Sequence, residues 1–136
     1  MDPAQRDGLA CRVLVVDDDA EFAAALAAAL CLEPGMQVHV AIGVDDGACA
    51  AGGADVVLVD VRMPGGGGPE LARRVSGLER RVAVVAMSGT ADPAARAAMS
   101  AAGAVGFLDK TDPIEAVCAG IWSAYRARSA PLAEQP

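Results

Sequence analysis

Two short apolar runs that each end in acid constrain this chain more than anything else in it. Val13-Leu14-Val15-Val16 runs into Asp17, Asp18 and Asp19, and Val56-Val57-Leu58-Val59 runs into Asp60. Runs this short, rich in β-branched residues and without polar alternation, read as strands buried on both faces of a parallel sheet. In an open α/β sheet the C-terminal ends of the strands form the edge where ligands bind. Carboxylates delivered together to that edge repel one another, and a hard cation such as Mg²⁺ among them makes the arrangement favourable. The pattern marks a candidate metal and phosphoryl site.

The rest of the chain alternates helix and strand around these two runs. Residues 20–32 place Phe22, Ala23, Leu26, Ala27 and Leu30 at helical spacing, and Pro34-Gly35 ends the helix. Residues 36–42 set Met36, Val38, Val40 and Ile42 against Gln37, His39 and Ala41, a strand period. Residues 45–51 predict a short helix, weakened by Gly47 and stopped by Gly52-Gly53. Residues 56–59 are the third strand. Met63-Pro64 and the four glycines at 65–68 predict a mobile loop before a helix over 69–76, and 82–87 is the fourth strand. Asp92 is a good N-cap ahead of Pro93 for a helix ending at Gly103. After a short fifth strand at 105–108, Asp112-Pro113 opens the last helix with Glu115 at capping-box spacing. Its apolar stripe is Ile114, Val117, Cys118, Ile121, Trp122 and Tyr125. Five strands alternating with five helices predict an α/β fold, a parallel sheet covered on both faces.

At 136 residues the chain is one domain, long enough to bury roughly 68% of its unfolded surface. Hydrophobic residues make up 54% but aromatics only 3%, so the core is Val, Leu, Ile and Ala, suited to thin helices packed closely on a sheet. Residues 1–11 read as a loose leader and 128–136 as a flexible tail. With no apolar stretch near 18 residues and no basic-then-apolar N-terminus, neither a membrane span nor a signal peptide is expected, and the location expected is cytoplasmic. Cys11, Cys31, Cys49 and Cys118 are far apart without a C-x-x-C pair, and read as reduced small hydrophobes. A formal charge of −7 argues against direct nucleic-acid or anionic-membrane binding.

Four motifs, each at the end of a predicted strand, carry a resemblance. They are Val16-Asp17-Asp18-Asp19, Val59-Asp60-Val61-Arg62-Met63-Pro64, Ser88-Gly89 and Gly106-Phe107-Leu108-Asp109-Lys110. In this order the chain resembles the receiver domain of bacterial two-component response regulators, over residues 12–127. The resemblance implies a flavodoxin-like fold, a single doubly wound five-stranded sheet of order 2-1-3-4-5; that order is carried over and not read from the residues. It implies Asp60 as phosphoacceptor, a carboxylate that forms an acyl phosphate. It further implies Mg²⁺ held by Asp18 and Asp60 directly, by Asp17 largely through water, and by the backbone carbonyl of Arg62. Lys110 would pair with phosphoryl oxygens and Ser88 would hydrogen-bond one, while Phe107 would change exposure as Ser88 moves. One departure is Thr111, where family members commonly carry Pro after the lysine, often with a cis bond.

The function expected on this basis is a stand-alone phosphoacceptor in a phosphorelay, not an enzyme acting on a separate substrate. A histidine kinase or phosphotransfer protein would phosphorylate Asp60. The output would be a protein contact, with a downstream partner or a homodimer, through the face of the fourth helix, fifth strand and fifth helix. The alternative is the receiver half of a DNA-binding transcriptional regulator whose output domain is absent here. A Mg²⁺-dependent phosphatase would use the Asp17-x-Asp19 spacing but leaves Asp60-x-x-Met63-Pro64 without a role. The glycines at 65–68 are not followed by Gly-Lys-Ser/Thr, so they are no P-loop. Asp19 reads as a helix cap, His39 as structural, Trp122 and Tyr125 as core, and Arg73, Arg74, Arg80 and Arg81 as a solvated face.

Overall fold

The computed structural model describes residues 10–89 and 92–128, so most of the expected leader and tail lie outside the described residues. The elements run β1 (Cys11–Val16), α1 (Ala20–Leu30), β2 (Met36–Ala41), α2 (Val44–Ala51), β3 (Val56–Asp60), α3 (Gly67–Ser76), β4 (Ala83–Ser88), α4 (Pro93–Ala101), β5 (Gly106–Asp109) and α5 (Ile114–Arg128). All strand pairs are parallel, in the order β2-β1-β3-β4-β5. The register sets Asp60 beside Met87 and Ser88 beside Asp109, so the acidic strand ends, Ser88 and the lysine loop share one edge.

Each face of the sheet has its own core. Leu14, Val16, Val57, Val59, Val84 and Ala86 face one way, under Val44 and Ala51 of α2, Leu71 and Val75 of α3 and Met99 of α4. Val13, Val15, Val56, Leu58, Val85 and Met87 face the other, under Ala23, Leu26 and Leu30 of α1 and Val117 and Ile121 of α5. This is why the strands lack alternation. Every residue has an apolar layer to enter, and each fully buried Val or Leu contributes about 1.5–3 kcal/mol. Trp122 and Tyr125 pack against the second core, with their rings edge to face at 5.7 Å.

Several expectations are corrected in detail. The first strand starts earlier than expected, at Cys11, which is fully buried and donates its N–H to the Gly35 carbonyl at 2.7 Å. In β2 the expected inward set holds for Met36 and the half-buried Val38 and fails after them. Val40 is 40% and Ile42 50% exposed while Ala41 is buried, since an edge strand is flanked on one side only and its second half is poorly covered. The glycine run is not a loose loop. Gly65, Gly66 and Gly67 take φ of 82°, 95° and 65°, and Gly67 and Gly68 already belong to α3. A Cβ on Gly68 would sit 3.0 Å from the Asp60 carbonyl oxygen and 2.9 Å from Met99 Sδ, so its missing side chain lets α3 press on the end of β3. Gly47 serves likewise in α2, where a Cβ would meet Val16 at 3.0 Å. Asp112 stands one position further from the last helix than a cap would, since α5 starts at Ile114, and its Oδ2 accepts from the Asp109 N–H at 2.9 Å. Of the cysteines, Cys11 and Cys118 are buried but Cys31 and Cys49 are exposed, and all four are free thiols. Burial, and then the charge of Asp55, push the Cys11 thiol up to about 12.

The opposite edge of the sheet is closed by a buried carboxylate that the sequence did not advertise. Asp55, just ahead of β3, accepts from the Arg12 N–H at 2.9 Å and from Arg80 and Arg128 guanidinium nitrogens at 2.8 and 2.9 Å. Arg12 Nε adds a contact at 3.4 Å. Arg80 is therefore part of an internal clamp and not of a solvated face. Arg74 remains outside, paired with Asp45 at 2.9 Å and Glu70 at 3.0 Å.

Candidate functional site

At the C-terminal end of β1 Asp17 is buried, and its Oδ1 accepts from the Asp19 N–H two residues on at 2.9 Å. Asp19 in turn caps α1, accepting from the Phe22 N–H at 3.1 Å, which is the role expected of it. Asp18 lies between them, exposed. Asp60 ends β3, and its Oδ1 accepts from the Arg62 N–H at 3.3 Å. One carboxylate oxygen from each of Asp17, Asp18 and Asp60 lies within 4.8 Å of the others. Lys110, whose backbone N–H is tied to the Ser88 carbonyl at 2.9 Å, brings its Nζ to 2.6 Å from Asp17 Oδ2 and 3.4 Å from Asp60 Oδ2. The same ammonium lies 4.6 Å from the Phe22 ring centroid, a contact absent from the sequence expectation.

Three carboxylates here face one ammonium, and the electrostatics record the imbalance. Burial, followed by the charge of Asp17, raises the Asp60 pKa above its ordinary value, against the Arg62 N–H and Lys110. Burial alone would lower Lys110, but its hydrogen bond to Asp17 and the charges of Asp60 and Asp17 outweigh it and raise the ammonium's pKa. A cluster of hard oxygen donors with uncompensated negative charge fits a hard divalent cation. Asp17, Asp18 and Asp60 are the side chains that could hold one.

Ser88 and Phe107 line a common cavity of about 440 Å³ between α4 and β5, together with Val61, Asp92 and Arg96. Phe107 is half-buried against the first core and carries the Arg96 guanidinium 4.5 Å over its ring. The Arg62 side chain is 66% exposed and reaches Asp92 at 2.8 Å. Asp92 also caps α4 through the N–H groups of Ala94 and Ala95, as its place before Pro93 predicted. The cap was legible; its pairing with Arg62 was not, because the two are 30 residues apart in the chain.

A family model described as the response regulator receiver domain matches residues 13–121. The signal receiver domain of the response regulator NarL from Mycobacterium tuberculosis is similar in structure, with 30% identity, 85% of this chain and 96% of that one covered, and a TM-score of 0.75. A CheY-like receiver domain protein from Methanospirillum hungatei shares the fold at 22% identity, covering 87% and 95%, with a TM-score of 0.78. A LuxR-family two-component response regulator from an Aurantimonas species does so at 21% identity, covering 86% of each chain, with a TM-score of 0.79. No curated protein sequence matches. Among the described residues no helix is long and apolar enough to cross a membrane.

Proposed function

Since this chain belongs to the response regulator receiver domain family, we propose that it is a phosphorylation-controlled protein-binding module with Asp60 as its phosphoacceptor. The observation that carries this reading is the cluster itself, with Asp17, Asp18 and Asp60 within 4.8 Å and Lys110 reaching Asp60 at 3.4 Å. A phosphohistidine of a histidine kinase or phosphotransfer protein is the donor. An Asp60 carboxylate oxygen attacks phosphorus, the new O–P bond forms as the N–P bond breaks, and the imidazole leaves with its electron pair and takes up a proton. Such a transfer needs positioning and charge neutralisation more than covalent machinery. Lys110 supplies one positive charge beside the incoming phosphoryl oxygens. Asp17, Asp18 and Asp60, together with the Arg62 carbonyl, would hold Mg²⁺, which would supply further neutralisation of that charge.

In the phosphorylated state the Ser88 hydroxyl is drawn to a phosphoryl oxygen and Phe107 turns into the space vacated in the shared cavity, shifting a pre-existing equilibrium. The output is a contact with a downstream protein or a second copy through the face of α4, β5 and α5, in the cytoplasm. A charge of −7 works against DNA binding by these residues. A second reading, the receiver part of a DNA-binding regulator, rests on Thr111, since lysine without a following Pro is frequent in regulators that carry helix-turn-helix output domains.

Intact-mass measurement after treatment with a small-molecule phosphodonor tests the proposal. One Mg²⁺-dependent phosphate is expected, absent from Asp60→Asn. A label that survives in Asp60→Asn places the acceptor elsewhere, and multiple turnover of a small phosphate ester would instead make the protein a phosphatase.

A further inference from the structure

Lys110 is a compact charge on a flexible four-carbon stem, so its value at the acidic cluster depends on how firmly its backbone is held. Its own N–H is fixed on the Ser88 carbonyl at 2.9 Å. The residue after it is Thr111, and no peptide bond among the described residues is cis. Rigidity on that side comes from side chains. Asp109 Oδ1 accepts from both the Thr111 N–H at 2.8 Å and the Thr111 hydroxyl at 2.7 Å. Asp112 returns the bond, its Oδ2 accepting from the Asp109 N–H at 2.9 Å while its own N–H donates to the Asp109 carbonyl, also at 2.9 Å. These four hydrogen bonds enclose Lys110. Asp109 itself lines the cavity between α4 and β5, whereas Lys110 reaches across the other face to Phe22 and Asp17.

We propose that Asp109, bonded to Thr111, is a positioning residue for Lys110, and that this brace gives the loop a stiffness which a proline ring would otherwise supply. The inference rests on the phosphoacceptor reading of Asp60 for its kinetic test, but not for its structural one. Removing the brace lets the 110–112 backbone turn, and the ammonium spends less time against Asp17 and Asp60. A turn that merely stabilised the loop would leave no signature that depends on Lys110.

The test is a double-substitution cycle on the rate of Mg²⁺-dependent phosphorylation by a small-molecule phosphodonor. Asp109→Ala should slow phosphorylation about five- to tenfold, the effect of losing roughly one ordinary hydrogen bond. Asp109→Asn, which keeps the acceptor oxygen without the charge, and Thr111→Ser, which keeps the hydroxyl, should stay within about twofold of the parent. In a Lys110→Ala background Asp109→Ala should have no further effect. Equal slowing in both backgrounds, or an Asn variant as slow as Ala, overturns the brace. NMR order parameters of the Lys110 Cε in the unphosphorylated protein judge it independently. They should fall in Asp109→Ala and hold in Thr111→Ser, and an unchanged value in Asp109→Ala overturns the proposal. If the protein takes up no phosphate, the reading of Asp60 falls while the order parameters still decide the brace.

Discussion

Asp55→Ala should be the most damaging single substitution outside the core. The carboxylate is 3% exposed and gathers three guanidinium groups and the Arg12 backbone N–H. Truncating it leaves Arg12, Arg80 and Arg128 crowded together with their shared counter-ion gone. Breaking a buried ion pair by removing one partner costs about 3–5 kcal/mol. That figure already contains the orphaned N–H, so no second penalty is added. Against a total stability of roughly 5–15 kcal/mol for a domain of this kind, the loss is large, equivalent to about 10–20 °C in Tm. Urea unfolding should show a lower midpoint with an unchanged slope, since the surface exposed on unfolding hardly changes. The pH dependence carries the sign of the mechanism. Burial pushes the Asp55 pKa up, but the Arg12 N–H and the guanidinium groups together hold it below the ordinary 3.8. A depressed folded-state pKa contributes stability that is fully present above 3.8 and is lost as pH falls through the lower folded value. The gap between parent and variant should therefore narrow in acid below about pH 4. A loss under about 1 kcal/mol at neutral pH, or a gap that widens in acid, would refute the clamp.

The acidic cluster should behave in the opposite sense. Because the folded-state pKa of Asp60 is raised, its ionisation costs stability once pH exceeds 3.8, fully so above the folded value, and Asp60→Asn should melt higher than the parent at pH 7 without metal; a lower Tm refutes this. Asp18→Ala should lose most of the thermal stabilisation that Mg²⁺ gives the parent, and equal stabilisation of both proteins would misplace the site. Ser88→Ala should accept phosphate on Asp60 yet lose the accompanying NMR shifts around Phe107, and shifts that persist there would remove Ser88 from the switch. Arg62→Ala deletes a long cation, two residues past the acceptor, that lies over the phosphate and excludes the attacking water, and should shorten the phosphate half-life by about two- to threefold, while an unchanged or longer half-life contradicts that shielding.

The strands, both apolar layers and the three acidic residues of the site were readable because they obey local rules, whereas the strand order came with the resemblance. An uninterrupted run such as residues 56–59 has one home, and Asp19 and Asp92 sit where helix caps belong. What escaped reading depends on partners distant in the chain. Asp55 looks like an ordinary loop acid until Arg80 and Arg128 arrive from 25 and 73 residues away. Periodicity promised Val40 and Ile42 a core, but an edge position leaves them in water. The glycines at 65–68 were read for their freedom, when Gly68 is needed for its lack of bulk.

Helix α4 hangs from the rest of the molecule by very little. Of its nine residues only Met99 is buried and Ala95 packs partly against the first core, and its other ties among the described residues include the exposed pairing of Asp92 with Arg62 and the Arg96 guanidinium over the Phe107 ring. A segment with so few buried contacts opens locally at a free energy well below that of global unfolding, and its amides should exchange with solvent long before those of β1 or β3. A helix held this loosely can be re-seated by the few kcal/mol that one new charge provides, whereas the five-stranded floor beneath it cannot. The acidic edge thus borders a loosely held part of the fold, and a partner that grips α4 meets a surface whose shape it can still help to decide.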